Sequence, residues 1–353
     1  MFIFIALAIY LIVHAYIFIS LKTGLSLSRT SSFYLAGTLL LLALLYPLSR
    51  FLGRPEILTY LGSIWLGVMA ISVTVFLLQD IVSALLPANK EQITYTALFL
   101  VVLISVYSFI NESKTKIKEV TLPTTERTTA FKGMTVVQLS DLHLGIIKNE
   151  HWLNELVEKV NSLNPDIIVI TGDILDDRAM FDEKYSNVLK QLKSKYGIFA
   201  CLGNHEYYAG KDRAIKFISN SNIKLLINSS ALVNNKIYIV GVDDKQGLSF
   251  GSEGPDIEKA MTSVDRNKYT ILLSHNPSYY KVASSFAVDL MLSGHVHAGQ
   301  IPPIEFLVTF IYKHSYGLYK NGKGLAYTTS GTGTWGPPMR FLNSSEIVKF
   351  TFR

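Results

Sequence analysis

Residues 290–301 read LMLSGHVHAGQI, an apolar run that ends in a glycine loop carrying His295 and His297. The whole chain has only 8 histidines, so two of them at this spacing form a distinctive pair. A lone histidine is more often a satisfied core or surface residue than a ligand. Two imidazoles just past an apolar strand, however, can point into one cleft, as a metal site requires. The remaining ligands then have to come from elsewhere in the chain.

The residues around this loop alternate short β-branched runs with helical patterns. Helical segments such as EHWLNELVEKVNSL and EKYSNVLKQLKSK lie between several of the runs. This alternation predicts an α/β domain with buried sheets. The predicted strands are TVVQLS, DIIVIT, YGIFACL, KIYIVGV, YTILLS, VDLMLS, LAYTT and EIVKFTF.

Polar residues come directly after five of these predicted strands in the sequence. Ligands collect at the carboxyl ends of strands in open α/β sheets, so we expect these side chains to share one site. Each has an ordinary explanation when taken singly, such as a helix cap at Asp141 or a turn at His275. Five such coincidences favour the shared site. The residues are Asp141, His143, Asp173, Asp176, Asn204, His205, Glu206, His275, His295 and His297.

The ligand types indicate the chemistry of that site. Carboxylate, amide oxygen and imidazole favour Mn, Fe or Zn over soft copper or a calcium cage. The set is too large for one four-coordinate ion, whereas two ions about 3.5–4 Å apart, bridged by a carboxylate, would use it all. Such a pair clamps a phosphate ester and activates a water. We expect two divalent ions, Mn first, with Fe or Zn as alternatives.

The motifs D-x-H, G-D-x-x-D, G-N-H-E, H and G-H-x-H occur in this order. With them, the chain from about Met134 to Arg353 resembles the calcineurin-like metallophosphoesterases. The resemblance implies an α/β/β/α sandwich of two sheets. It also implies that His205 stabilises transition-state charge or protonates the leaving group, with Asp176 orienting it. The implied ligands are Asp141, His143 and His297 for one metal, Asn204, His275 and His295 for the other, and Asp173 as the bridge.

Four apolar stretches, roughly residues 2–21, 33–48, 57–86 and 93–110, precede this domain. About 20 mostly apolar residues are needed to cross a membrane, so the stretches predict four transmembrane helices. His14 and Asp80 lie in or near these spans. We expect His14 to form an interhelical hydrogen bond and Asp80 to lie near a helix end. The predicted organisation is a transmembrane domain over 1–110, a linker over 111–132 and a catalytic domain over 133–353.

Basic residues in the loops indicate the orientation. Four spans place both termini on one side, and that side has about twice as many Lys and Arg residues as the other. This bias predicts a multi-pass protein of the cell (inner) membrane with its catalytic domain in the cytoplasm. The residues compared are Arg50, Arg54, Lys114, Lys116, Lys118 and Arg127 against Lys22, Arg29 and Lys90.

Composition excludes two other classes of protein. From Asn111 onward the chain has 28 basic and 24 acidic residues, and this net charge of +4 is too small to indicate a nucleic-acid partner. One cysteine, Cys201, excludes an internal disulfide framework, and its apolar neighbours predict a small buried core residue.

The stretch QIPPIEFLVTFIYKHSYGLYK follows the histidine loop and is apolar, aromatic and basic. One interpretation is a loop packed in the core. The other is a lip that dips into the membrane and carries Phe306, Phe310 and Tyr312 in the interface. Arg340 would then pair with a substrate phosphate, or else form a structural salt bridge.

The tail GTGTWGPPMRFLNSSEI resembles the membrane-anchored bacterial branch of the family. That branch includes membrane phosphodiesterases and a pyrophosphatase that cleaves UDP-2,3-diacylglucosamine in lipid A synthesis. We therefore expect a membrane-anchored phosphoester or pyrophosphate hydrolase with a phosphate-containing lipid substrate. The alternatives are hydrolysis of a soluble nucleotide or phosphoprotein, with the membrane part only a tether, and a membrane sensor protein.

Overall fold

The computed structural model describes residues 2–53, 55–123, 127–176 and 181–352, so Arg54 lies outside the described residues. The chain divides into two compact units. The first contains Met1–Ser113 together with Gln300–Leu307 and Gly336–Leu342, and the second contains Lys114–Gly299, Val308–Trp335 and Asn343–Arg353.

Four helices form most of the first unit. Among the described residues, these four are long and apolar enough to cross a membrane, which confirms the predicted set. Phe4, Leu41 and Leu103 are among the many large apolar side chains that face outward, as expected when lipid surrounds the helices. The helices are α1 Phe2–Gly24, α2 Arg29–Phe51, α3 Glu56–Leu85 and α4 Lys90–Glu112.

Two ionisable residues of this unit make hydrogen bonds between helices. The Nδ1–H of His14 donates to the carbonyl of Tyr10 at 2.8 Å, and the Nε1–H of Trp65 on α3 donates to its Nε2 at 3.0 Å. The interhelical role expected for His14 is therefore confirmed. Asp80, in the last turns of α3, accepts a hydrogen bond of 2.7 Å from the Tyr16 hydroxyl on α1.

The second unit contains short helices and strands in alternation. Its strands are β1 Lys116–Leu122, β2 Thr135–Leu139, β3 Ile167–Thr171, β4 Ile198–Cys201, β5 Lys224–Leu225, β6 Ser229–Val233, β7 Ile237–Gly241, β8 Tyr269–Leu273, β9 Leu290–Ser293, β10 Gly317–Asn321, β11 Gly324–Thr328 and β12 Glu346–Phe352. Its helices are α5 Glu150–Ser162, α6 Glu183–Leu189, α7 Asn204–Ala209, α8 Lys211–Asn220, α9 Ile257–Met261 and α10 Tyr280–Ala283, and α11 Ile304–Ile311 begins in the first unit and ends in the second.

Within the described residues the strands form two six-stranded sheets, in the orders β1-β12-β2-β3-β4-β5 and β10-β11-β9-β8-β7-β6. Side chains alternate between the two faces of each strand. On β2, Val136 packs between the sheets with Ile271 and Leu292 of the second sheet, whereas Val137 packs with α5, α6 and α8. The outer face of the second sheet packs against α9 and α10. The predicted α/β/β/α sandwich is therefore confirmed.

The predicted linker is wrong in one respect, because Lys116–Leu122 is a strand rather than a connection. It pairs in parallel with β12 at the edge of the first sheet. Most of its side chains are exposed, so its sequence KIKEVTL is as polar as a linker. Cys201 lies fully buried at the end of β4, as expected for a small core residue.

The two sheets bring their carboxyl ends to one place. Strands β2, β3 and β4 are parallel to one another in the first sheet, as are β7, β8 and β9 in the second. The side chain of Gln138, on β2, donates to Thr171 Oγ1 at 2.9 Å and to the Ser293 carbonyl at 3.1 Å. This buried amide links the ends of β2, β3 and β9, so the loops that follow them lie side by side.

Candidate metal centre

The backbone turns sharply at the strand ends that carry the predicted ligands. Asp141, His143, Asp173, His295 and His297 all have a positive φ, between 47° and 73°. Residues other than glycine seldom adopt this left-handed conformation, and each instance costs about 1–3 kcal/mol. Five such residues in one place mean that the surrounding structure forces the backbone into the turns that aim these side chains inward.

Two glycines allow the loops to approach closely. A Cβ at Gly203 would overlap Asp173 Oδ1, and a Cβ at Gly294 would overlap Ser140 Oγ and Asp141 Oδ2. No side chain can be accommodated at either position without moving a predicted ligand. The glycines of the motifs G-N-H-E and G-H-x-H therefore have a steric reason.

One cluster of ligand atoms lies between the loops after β2 and β9. His143 Nε2 and His297 Nε2 are 3.1 Å apart. His297 Nε2 is 3.5 Å from Asp141 Oδ1, and His143 Nε2 is 3.8 Å from Asp173 Oδ2. All four side chains are buried. The structure therefore brings together the three residues expected for the first metal, with Asp173 beside them.

A second cluster surrounds His275. Its Nδ1–H donates to the carbonyl of Thr171 at 2.8 Å, so Nε2 is the ring nitrogen that faces the site. This Nε2 lies 3.2 Å from Asp173 Oδ2, 3.1 Å from Asn204 Oδ1 and 3.1 Å from His295 Nδ1. The residues expected for the second metal are thus also brought together.

The geometry of Asp173 connects the two clusters. Its Oδ1 accepts a hydrogen bond of 2.9 Å from the backbone N–H of His205, so Oδ2 is left to face both sets of imidazoles. The facing atoms are carboxylate, amide and imidazole acceptors, which repel one another unless a proton or a cation lies between them. This donor set would suit divalent ions, with the Asp173 carboxylate between the two clusters.

The electrostatics are consistent with a cation site. Burial opposes ionisation of Asp173, but His275 and His205 outweigh it and hold the pKa of its carboxyl well below the usual range. Burial likewise opposes a charge on His275, but Asp173 and Asp141 raise its pKa well above the usual value. Burial and the neighbouring His275 lower the pKa of His295 to about 4, which keeps its lone pair available to a metal.

Glu206 was expected at the site without an assigned role, and the structure shows that it supports the loops there. Its buried carboxylate accepts backbone hydrogen bonds from Gly203 at 2.7 Å, Asp173 at 3.0 Å, Ile174 at 2.8 Å and Leu175 at 3.1 Å. Burial, followed by the charge of Asp173, raises its pKa to about 6. Glu206 therefore holds the loop after β3 against the start of α7. A glutamate at the third position of a helix is a capping signal that could have identified it.

His205, the predicted acid, is buried beside the carboxylate of Asp173. Its Nε2 lies 4.0 Å from Asp173 Oδ2, and its Nδ1 lies 3.8 Å from Asp176 Oδ1. The latter distance exceeds that of a hydrogen bond, so the orienting role of Asp176 stays a prediction. The rings of Tyr208 and Trp335 pack edge-on against the His205 ring, with 5.4 and 5.8 Å between the ring centroids.

Trp335 could not be placed from its sequence neighbourhood. It lies in a loop far along the chain, where the backbone N–H of Thr332 donates to the Ser140 carbonyl at 2.8 Å. The ring of Trp335 is about half exposed. Together with Tyr208 it forms an aromatic wall beside His205.

The stretch predicted as either a lip or a core loop is an exposed helix. In α11, Phe306, Phe310 and Ile311 are 47%, 85% and 74% exposed, as expected for a lip, whereas Ile301 and Val308 of the same stretch are buried. The ring of Tyr312 lies 6.0 Å from that of His295.

The assignment of Arg340 to an exposed lip needs correction. Its side chain is fully buried in the unit of the membrane helices. Its backbone N–H donates to the Ser108 carbonyl at 2.9 Å, and its carbonyl accepts from the Asn111 side chain at 3.0 Å. These bonds hold the backbone of Arg340 against the end of α4, and the pairing of its side chain with a substrate phosphate stays a prediction.

The sequence of this chain is similar to those of several known proteins. The family model described as calcineurin-like phosphoesterase matches residues 134–299. The chain is 38% identical over 245 residues to an uncharacterized metallophosphoesterase of Campylobacter jejuni, covering 69% of this chain and 65% of that protein. It is 33% identical to a transmembrane protein with metallophosphoesterase domain of Danio rerio, covering 74% of this chain and 62% of that protein. It is 32% identical to an uncharacterized metallophosphoesterase of Aquifex aeolicus, covering 72% of this chain and 98% of that protein.

Replacing Glu206 with glutamine should weaken metal binding, although Glu206 contacts no predicted metal position. Both carboxylate oxygens of Glu206 accept hydrogen bonds, whereas a glutamine side chain has one oxygen that accepts and an NH₂ group that only donates. Backbone N–H groups beside Asp173 therefore lose their partner. We expect the affinity for Mn²⁺ to fall about 10–100-fold, measured by calorimetric titration of the full chain in detergent. Glu253→Gln, at an exposed position, is the matched control. Unchanged affinity in Glu206→Gln would show that the carboxylate does not position the ligands.

Proposed function

Because this chain belongs to the calcineurin-like metallophosphoesterase family, we propose that it is a membrane-anchored dinuclear hydrolase that cleaves a phosphoester or pyrophosphate bond in a lipid substrate. Metal-dependent hydrolysis of phosphoesters is the chemistry of this family. The observation that carries the two-metal assignment is the position of Asp173 Oδ2, which faces both clusters of ligand atoms.

Seven side chains would hold the two ions. When bound, the ions would offset the charge of the phosphoryl oxygens and activate a water. We assign manganese first, with iron or zinc as alternatives, because the donors are carboxylate, amide and imidazole. The ligands are Asp141, His143 and His297 for one ion, Asn204, His275 and His295 for the other, and Asp173 for both.

His205 is the proposed acid. Its Nε2 can hold a proton beside the phosphate and pass it to the leaving oxygen. Asp176, 3.8 Å from Nδ1, would orient the ring when the substrate is bound. The aromatic wall of Tyr208 and Trp335 would limit access of bulk water to that side of the site.

The exposed helix α11 supports a lipid substrate. It presents Phe306, Phe310 and Ile311 to the surroundings, and Lys313 follows them. An exposed apolar face flanked by a basic residue is suited to the membrane interface. The segment ends beside the metal centre, where Tyr312 contacts His295. A phosphate carried by a lipid could therefore reach the centre from the interface.

Among lipids, UDP-2,3-diacylglucosamine is the most specific candidate, through the resemblance of residues 331–347 to the branch that contains its pyrophosphatase. The chain would then act in lipid A synthesis, at the cytoplasmic face of the cell (inner) membrane. The basic residues on the same side as both termini support this orientation. The membrane and a phosphate-containing lipid are the proposed partners, and the low net charge gives no support for a nucleic acid.

Substituting the exposed face of α11 should separate lipid from soluble substrates. In Phe310→Ser/Ile311→Ser, Mn²⁺-dependent hydrolysis of UDP-2,3-diacylglucosamine should fall about tenfold or more, because the lost apolar contacts weaken docking at the interface. Hydrolysis of bis-p-nitrophenyl phosphate by the same purified protein should be unchanged.

Leu232→Ser/Leu318→Ser, at exposed apolar positions away from the site, is the control pair. If the α11 variant lost activity equally on the lipid and on the chromogenic diester, α11 would not act as a membrane-docking lip. Cleavage of the chromogenic diester by the parent enzyme, without cleavage of the lipid, would exclude this lipid but keep the metal chemistry.

Substitutions of His205 and Asp173 should have different effects on bound metal and on turnover. We expect His205→Ala to retain bound metal and to slow turnover of bis-p-nitrophenyl phosphate by about 10²–10⁴-fold. Asp173→Ala should lose both metal and activity, because the shared ligand is gone. Metal content by elemental analysis, measured beside turnover, tests this division. Equal metal loss in both variants would make His205 a structural residue rather than an acid.

A further inference from the structure

A pocket of about 170 Å³ lies beside the metal centre and is formed by side chains from residues 277–281 and 311–314. A water molecule takes about 30 Å³ in the liquid, so the pocket has room for several waters or for one compact polar group. Ser278, Lys281 and Lys313 are exposed at its edge, so it is accessible from solvent.

The charge of this pocket is positive. Lys281 and Lys313 both line it, and none of its lining residues, all within the described ranges, is acidic. Neither ammonium group forms an ion pair with a residue that the structure describes. Two uncompensated lysines on one pocket repel each other unless an anion lies between them. The pocket is therefore suited to an anionic group.

The side chain of His314, which also lines the pocket, is held in place by two tyrosine rings. The ring of His314 packs between Tyr280 at 4.4 Å and Tyr319 at 4.3 Å. Burial, followed by the charge of Lys313, lowers the pKa of His314, so this imidazole adds no positive charge at neutral pH. The two lysines are thus the cations of the pocket, while Tyr280 adds a hydroxyl donor.

The residues on each side of the pocket lie close to a predicted metal ligand. Pro277 follows the predicted ligand His275 by two residues. On the other side, the ring of Tyr312 lines the pocket and lies 6.0 Å from the ring of His295. Ile311, the last residue of α11, also lines it. A substrate held at the metal centre could therefore place a second group here, toward the exposed apolar helix.

We infer that this pocket is an anion subsite that binds a second phosphate group of the substrate, next to the phosphoester that is cleaved. Lys281 and Lys313 would pair with this phosphate, and the Tyr280 hydroxyl would donate a hydrogen bond to it. The inference rests on the proposed function and narrows its substrate class to molecules with two phosphate groups. The second phosphate belongs either to a soluble moiety or to a lipid headgroup.

Two chromogenic substrates that differ by one phosphate test the subsite. The first is the p-nitrophenyl ester of thymidine 5′-phosphate, and the second carries an additional 3′-phosphate. With the full chain in detergent and Mn²⁺, we expect kcat/KM to be about tenfold higher for the bisphosphorylated substrate, mainly through KM, since one charge-assisted contact supplies this much. In Lys281→Gln/Lys313→Gln the two substrates should react equally well.

Lys320→Gln/Lys323→Gln removes the same charge from an exposed hairpin outside the pocket and should keep the preference of the parent enzyme. A preference that survives in Lys281→Gln/Lys313→Gln, or one that the parent enzyme lacks while it cleaves both substrates, would overturn the subsite alone. Failure of the parent enzyme to cleave either of these substrates, bis-p-nitrophenyl phosphate or the lipid would overturn the proposed function together with the subsite, whereas failure on the two thymidine esters alone would overturn only the subsite.

Lipid added to the same assay identifies the source of the second phosphate. Phosphatidic acid in phosphatidylcholine nanodiscs presents a phosphate headgroup at the membrane surface. If it abolishes the lysine-dependent preference, the pocket takes lipid headgroups. If the preference persists, the pocket takes the second phosphate of a soluble moiety.

Discussion

The carboxylate of Asp173 is the group on which the arrangement of the catalytic unit depends. A buried carboxylate is costly unless it is paired and hydrogen-bonded. One of its oxygens is held by the His205 N–H, and the other faces imidazoles that come from both sheets. The position of this one side chain therefore requires the two sheets, and the loops at their carboxyl ends, to meet at a fixed distance.

The hydrogen bonds around Asp173 meet this requirement. His275, which follows β8 in the second sheet, donates to the Thr171 carbonyl in the first. The left-handed turns at Asp141 and His143 are held by backbone bonds to the Gly172 and Asp173 carbonyls, at 3.1 and 3.0 Å. Such bonds offset the conformational cost of the turns. Stability of the fold and geometry of the site are thus supplied by the same contacts.

Much of this site could be predicted from sequence because its signals are local. A polar residue directly after an apolar strand identifies Asp141, Asp173 or His275 without knowledge of the tertiary structure. Long-range features could not be predicted in this way. Trp335 reaches His205 through a loop whose position depends on the pairing of distant strands, and Arg340 is buried and bonded through its backbone to α4.

The strand Lys116–Leu122 was missed for a different physical reason. An edge strand has one hydrogen-bonded neighbour and a solvated side, so its polar composition resembles that of a linker. Glu206 represents an intermediate case. Its position three residues after Gly203 is a local signal, but its four backbone partners lie in loops that only the folded chain brings together.

The most direct test of this account is anomalous diffraction at the manganese edge from crystals of the Mn²⁺-loaded chain. A dinuclear centre should give two anomalous peaks about 3.5–4 Å apart, one on each side of Asp173 Oδ2. One peak should lie within coordination distance of His143 and His297, and the other within coordination distance of His275 and His295. A single peak, or two peaks that do not share Asp173, would contradict the dinuclear centre.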